Sequence, residues 1–117
     1  MLNQVVLVGR ITSDIEVNQS DKGKKYANIN LAIPRAYKNM DGTYDTDFIK
    51  CTLWDGVANN TAEYCKKGDI VGIKGRVQSH TRELDDGTKM NSMEVIAEKV
   101  TFLSSRSQEK NDKDQER

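Results

Sequence analysis

Rings and cations stand at spacings that place them on the outer faces of strands. Between residues 47 and 54, Phe48, Lys50, Thr52 and Trp54 alternate with Ile49, Cys51 and Leu53. Successive side chains of a strand point to opposite faces. The small aliphatic set therefore faces a core, and the rings and the lysine face out. Farther along, Lys74, Arg76, Gln78, His80 and Arg82 share one face of another alternating segment, opposite Val71, Ile73 and Val77. Arg35, Tyr37 and Lys38 follow directly on a third such segment, and Arg10 lies on the outer side of the first. Rings stack on flat π-faces and cations meet regularly spaced negative charge. Unpaired DNA offers both, because its unstacked bases expose their faces and its backbone carries one charge per nucleotide. Each stacked base is worth about 1–3 kcal/mol, and the phosphate share weakens as salt rises. An outward ring can also pack under a loop or at a subunit interface, and a basic strand face is often simply solvated. The two together on neighbouring strands are more specific than either alone.

Other chemistries have little to work with. Cys51 and Cys65 lie 14 positions apart, which is neither a CxxC pair nor a disulfide framework, and His80 is the one histidine. Three scattered soft ligands do not make a zinc site, so buried free thiols and a surface histidine are expected. No Ser-His-Asp set or metal dyad is visible, so no catalytic residue, metal or cofactor is expected and the chain does not read as an enzyme. The 18 Lys and Arg balance the 18 Asp and Glu. The last fourteen residues hold four of each sign, so they do not mask a basic domain. Any DNA site must come from how charge is arranged.

The elements that position these residues are mostly strands. Residues 3–11 are β-rich, with Val5, Leu7 and Ile11 on one face and Val6, Val8, Gln4 and Arg10 on the other. A strand apolar on both sides is buried on both, so its outer side calls for a partner subunit. Residues 25–34 direct Ala27, Ile29, Leu31 and Ile33 one way and Asn28 and Asn30 the other. The polar stretch 35–45, with Asp41-Gly42, reads as a mobile loop. Residues 56–67 form the helix, with Asp55 as its cap, Ala58, Ala62 and Cys65 at helical spacing, and Lys66-Lys67-Gly68 as its end. Strands resume over 69–82 and 93–103, joined through Asp85-Asp86-Gly87. Three strands, one helix and two strands are the element order of the OB-fold, an all-β, five-stranded Greek-key barrel with its helix between strands 3 and 4. The domain is expected over residues 1–103. Residues 104–117 contain no apolar side chain and are expected to be a disordered tail. No apolar run is long enough to span a membrane. The opening Met1-Leu2-Asn3-Gln4 lacks a signal-peptide pattern, so a cytoplasmic, nucleoid-associated protein is expected.

A resemblance sharpens this reading. Asn3-Gln4-Val5-Val6-Leu7-Val8-Gly9-Arg10-Ile11-Thr12, Leu31-Ala32-Ile33-Pro34-Arg35, Thr46-Asp47-Phe48-Ile49-Lys50-Cys51-Thr52-Leu53-Trp54 and Tyr64-Cys65-Lys66-Lys67-Gly68-Asp69-Ile70-Val71 resemble segments of the bacterial-type single-stranded DNA-binding proteins. Gly75-Arg76-Val77-Gln78, Asp86-Gly87 and Glu94-Val95 fit as well, and the match is colinear over residues 1–103. The resemblance implies an OB-fold, assembly as a homotetramer with a dimer contact through the first strand, and sequence-nonspecific binding and protection of single-stranded DNA in replication, recombination or repair. It places Tyr37, Phe48 and Trp54 at three of the family's stacking positions. The fourth, in the last hairpin, is not matched by a ring; Arg82 or its neighbours stand there, and a guanidinium can still stack on a base. The family's acidic and hydrophobic terminal peptide has no counterpart in Lys113-Asp114-Gln115-Glu116-Arg117. Recruitment of repair proteins through a tail is therefore not expected. The reading from another class is a protein-interaction OB module without DNA binding, prompted by the zero net charge and the missing ring.

Overall fold

Inward and outward side chains alternate along the long strands, and strand pairing closes the sheet on itself. The computed structural model describes residues 1–105. Its elements are β1 (Val5–Ile11), β2 (Asn18–Gln19), β3 (Lys25–Lys38), β4 (Tyr44–Trp54), α1 (Asp55–Tyr64), β5 (Ile70–Glu83) and β6 (Lys89–Ser104). The sheet order is β1-β5-β6-β4-β3-β2, and a further pairing of β1 with β3, through Arg10↔Ala32 and Ile11↔Leu31, closes the barrel. All pairings are antiparallel except β4 with β6, where Cys51↔Val95 and Thr52↔Ile96 run parallel. The two-residue β2 pairs only with the start of β3. Five long strands thus form the closed barrel, and the helix falls between the third and fourth of them, as in an OB-fold.

The core is the inward set of each strand. Ile11, Ala27, Ile29, Leu31, Cys51, Leu53, Val71 and Ile73 are buried, and α1 adds Ala58 and Cys65, the residue just after it. Both cysteines are free and buried, and burial pushes the Cys51 thiol up to about 11. Burial, followed by the nearby Asp69 charge, raises the Cys65 thiol too. Neither is poised as a nucleophile. Two buried glycines mark where strands approach too closely for a side chain. A Cβ on Gly9 would lie 2.7 Å from Ile33 Cγ1, and one on Gly75 would meet the Ile96 carbonyl. At Gly75 the β5–β6 register shifts, with Lys74 opposite Lys99 and Gly75 opposite Ala97.

Several local expectations change. The stretch 35–45 is a built hairpin arm rather than a loop, because β3 runs to Lys38 and β4 starts at Tyr44. Asn39 holds its turn. The Asn39 side-chain oxygen accepts from the backbone N–H of Asp41 at 2.9 Å and of Thr43 at 3.1 Å, and its amide donates to Asp45 at 3.0 Å. The helix is shorter than 56–67. Asp55 is its first residue, at φ +49°, and the extended Trp54 stands at the N-cap with no side-chain cap. The strand passes straight into the helix, so no loop exists in which Asp55 could cap; its carboxylate still suits the positive end of the helix. Past Tyr64 the backbone is extended at Cys65, and the Lys66 N–H donates to the Asp69 carboxylate at 2.9 Å. Val77, expected inward, is 36% exposed: the β1–β5 pairing ends at Val5↔Gly75, so no β1 residue lies opposite it, and past Val77 β5 and β6 continue as a second arm. Strand β6 continues through Ser104, and residues 106–117, which hold most of the expected tail, lie outside the described residues.

Candidate nucleic-acid interface

The outer face of β3, β4, β6 and β5 is built of side chains in register. Pairing across β3 and β4 sets Tyr26 beside Trp54, Asn28 beside Thr52, Asn30 beside Lys50 and Ala32 beside Phe48. The parallel pairing carries the row Asn28–Thr52 onward to Ile96 and then Arg76. Phe48 is 71% exposed and Trp54 37%. The difference has a cause: the Tyr26 ring leans on the indole at a centroid distance of 5.6 Å and a tilt of 44°. One face of the indole is thereby held and its orientation fixed, which is the arrangement a stacking platform needs. Tyr26 was not singled out from the sequence, although it shares parity with Asn28 and Asn30.

The first arm contributes a second aromatic group. Tyr37 is exposed, Lys38 pairs with Tyr44, and the Lys38 ammonium sits 5.9 Å above the Tyr44 ring. Tyr44 is another ring the sequence reading missed, because it lay in the stretch read as a loop. Arg35 behaves differently. It points with the core-facing parity of β3, donates to the Asp47 carboxylate at 3.0 Å and lies 3.8 Å from Asp45. The hydrogen bond from Arg35 lowers the Asp47 carboxyl below its ordinary value, and the same bond, with the Asp47 charge, raises Arg35. Both groups are exposed, so this pair braces the arm without adding much stability.

The expected cations do not all gather. Lys50 and Arg76 lie on the face just described, and Arg76 donates to Gln78 at 2.7 Å. Arg82 stands farther out on the β5–β6 arm, opposite Met90. Arg10 lies in the row of Ala32 and Phe48, and its guanidinium donates to the Gly68 carbonyl at 2.7 Å. Lys74 is the one most clearly separated. Its cross-strand neighbours are Val6 and Lys99, so it borders the outer face of β1.

The middle of the face holds a polar group that strand alternation alone did not reveal. Thr52 is only 5% exposed because Glu94 of β6 covers it. The Thr52 hydroxyl donates to Glu94 Oε2 at 2.8 Å, and His80 Nε2 is in direct contact with Glu94 Oε1. Partial burial pushes the Glu94 carboxyl up, but the bonds from Thr52 and His80 and the charges of His80 and Lys50 outweigh it and hold it below its ordinary value. His80 therefore has a partner, though not a nucleophile. No group of three or more metal-ligating side chains occurs among the described residues.

A surface with two outward rings, one of them braced, an arm bearing two more, and cations between them can stack bases and meet phosphates. Known proteins with similar sequences point the same way. The chain is 41% identical over 110 residues to Single-stranded DNA-binding protein B of Bacillus subtilis, covering 94% of this chain and 97% of that one. It is 42% identical over 106 residues to a single-stranded DNA-binding protein of Oceanobacillus iheyensis, covering 91% of this chain and 66% of the relative. The same identity over 106 residues, again 91% of this chain, holds for a single-stranded DNA-binding protein of Bacillus cereus, of which 62% is covered. Residues 2–103 match the model of the single-strand binding protein family, and the chain belongs to that family.

Proposed function

We propose that this protein binds single-stranded DNA without reading its sequence, stacking bases on Phe48, Trp54 and Tyr37 and meeting phosphates with Lys50, Arg76, Lys38, Arg82 and Arg10. Arg35 and Lys74 contribute less, the first through its bracing of the arm and the second at the edge of the β1 face. The observation that carries this reading is the Trp54 platform, an indole braced by Tyr26 and open on the same face as Phe48 and Lys50. It is a binding protein and not an enzyme. It protects unpaired DNA in replication, recombination or repair, in the cytoplasm, with the nucleoid.

Titration with oligo-dT, read by quenching of the single tryptophan, tests the reading. No quenching at low salt and no shift in a gel would leave the protein-interaction module as the better account. The same titration repeated across salt tests the cations. Each phosphate neutralised on a single strand contributes about 0.7 to the slope of log K against log salt. Lys50→Ala combined with Arg76→Ala should therefore flatten the slope by roughly 1.4. An unchanged slope removes those two residues from the phosphate contacts.

The chain acts as a homo-oligomer, and the family's homotetramer fits an apolar strip that the barrel leaves uncovered. Val6 is 67% and Val8 52% exposed on the outside of β1, and Val8 and Leu103 flank Gly72 there. Val6→Asp with Val8→Asp should bring the mass measured by light scattering from four protomers of 13.2 kDa toward one. An unaltered mass would place the subunit contact elsewhere.

A further inference from the structure

We propose that Glu94 sets the affinity of the DNA face, as a fixed negative charge that opposes phosphate until His80 takes up a proton. The inference rests on the reading of this face as the DNA site.

A carboxylate is out of place in the middle of a phosphate-binding surface. Glu94 is nonetheless built in. Thr52 donates to one of its oxygens and His80 touches the other, and its side chain remains 28% exposed toward the face. The groups around the pair come from every neighbouring strand. Strand β4 supplies Lys50, and β3 supplies the neutral Asn28. Strand β5 supplies Arg76 and Arg82 on either side of His80, with the neutral Gln78 opposite Glu94, and β6 sets Ser92 opposite His80. With His80 neutral, Glu94 is the one acid among these groups and it offsets one of the cations. With His80 protonated, the pair carries no net charge and those cations act on the backbone unopposed.

One unit of charge about 4 Å from a phosphate, screened as fully as in bulk water, changes the affinity for a polyanion by about fivefold. Histidine is the side chain whose ordinary titration falls between about pH 5 and 8, and this chain has only one. Linkage makes the effect reciprocal: if the proton tightens DNA, then DNA tightens the proton. Binding should therefore draw protons from solution.

The test uses the full chain and oligo-dT at constant salt. Affinity is measured by tryptophan quenching at about pH 8 and pH 6 for the unaltered protein, His80→Gln and Glu94→Gln. Both substitutions are on partly exposed side chains, and melting temperatures establish that the variants fold. The unaltered protein should tighten about fivefold more over this interval than His80→Gln. Glu94→Gln should bind about fivefold tighter than the unaltered protein at the higher pH. Mixing the unaltered protein with oligo-dT in weak buffer near the imidazole range should take up protons, and His80→Gln should take up none. This last measurement does not depend on the stability of Glu94→Gln. Equal pH slopes with and without His80, or no proton uptake, overturn the proposal while leaving DNA binding intact. Absence of oligo-dT binding at either pH overturns the DNA reading itself.

Discussion

Trp54→Ala is expected to weaken binding of oligo-dT by roughly tenfold to a hundredfold, in line with the 1–3 kcal/mol that one stacked base contributes. The expectation comes from how the indole is held. Trp54 is the last residue of β4, and the chain turns directly into α1 at Asp55, so its backbone is fixed on both sides. Tyr26 packs on it from the neighbouring strand, and 37% of the residue stays open. A ring already fixed in place loses little freedom when a base stacks on it, so most of the stacking energy reaches the affinity. The substitution removes the fluorophore, and a labelled oligonucleotide read by anisotropy replaces it. Trp54→Phe should recover part of the loss, because a smaller ring still offers a face. Tyr26→Ala should produce a lesser loss, acting through the orientation of the indole. If Trp54→Ala lowers the melting temperature but leaves affinity alone, the residue is a structural support.

Gly75→Ala is expected to be the most damaging single methyl in the barrel, costing about 3 kcal/mol or more. An added Cβ would meet the Ile96 carbonyl, and its next neighbours, the Ile96 carbonyl carbon at 3.0 Å and Ala97 Cα at 3.2 Å, are backbone as well. Backbone atoms cannot swing aside as a side-chain tip can. The strands would have to part where β5 and β6 change register. That is also where β6 pairs with β4 through Val95 and Ile96, so separation there would disturb the row carrying Arg76 and Thr52. Gly72→Ala on the same strand is the control. Its Cβ would find only side-chain carbons, Leu103 Cδ1 at 3.7 Å and Val8 Cγ2 at 4.0 Å, which is ordinary contact. Urea unfolding should show a large fall for Gly75→Ala and a change within about 1 kcal/mol for Gly72→Ala. Equal effects would mean that the two strands do not approach as closely as described.

The sequence by itself determined the inward and outward sets of the barrel strands. Ala27, Ile29 and Leu31, or Cys51 and Leu53, are buried because a pleat has a period of two and only one face of each strand finds apolar company. It also determined the element order and the outward placement of Phe48, Lys50 and Trp54. Even the uncovered Val6 and Val8 could be anticipated, since a strand apolar on both sides needs something on both.

Only the tertiary structure decided which outward residues meet. Alternation says that a side chain leaves the barrel, but a closed barrel has outsides facing in many directions. Lys74 and Arg76 share a strand face in the sequence. Closure turns the first toward Val6 and Lys99 and the second toward Ile96 and Thr52. Thr52 reads as an exposed residue until β6 lays Glu94 over it, from 42 positions away in the chain. His80 has no visible partner until the same carboxylate arrives. Arg35 reads as a free cation until the arm zips up and sets it against Asp47. Periodicity is a local property of the backbone, whereas these contacts depend on the parallel β4–β6 pairing and on the register of two arms. Apart from Tyr26 and Tyr44, the rings and cations of the proposed DNA face were therefore legible as a list, and their arrangement around an acid, with Trp54 braced by Tyr26, was set by the way the barrel closes.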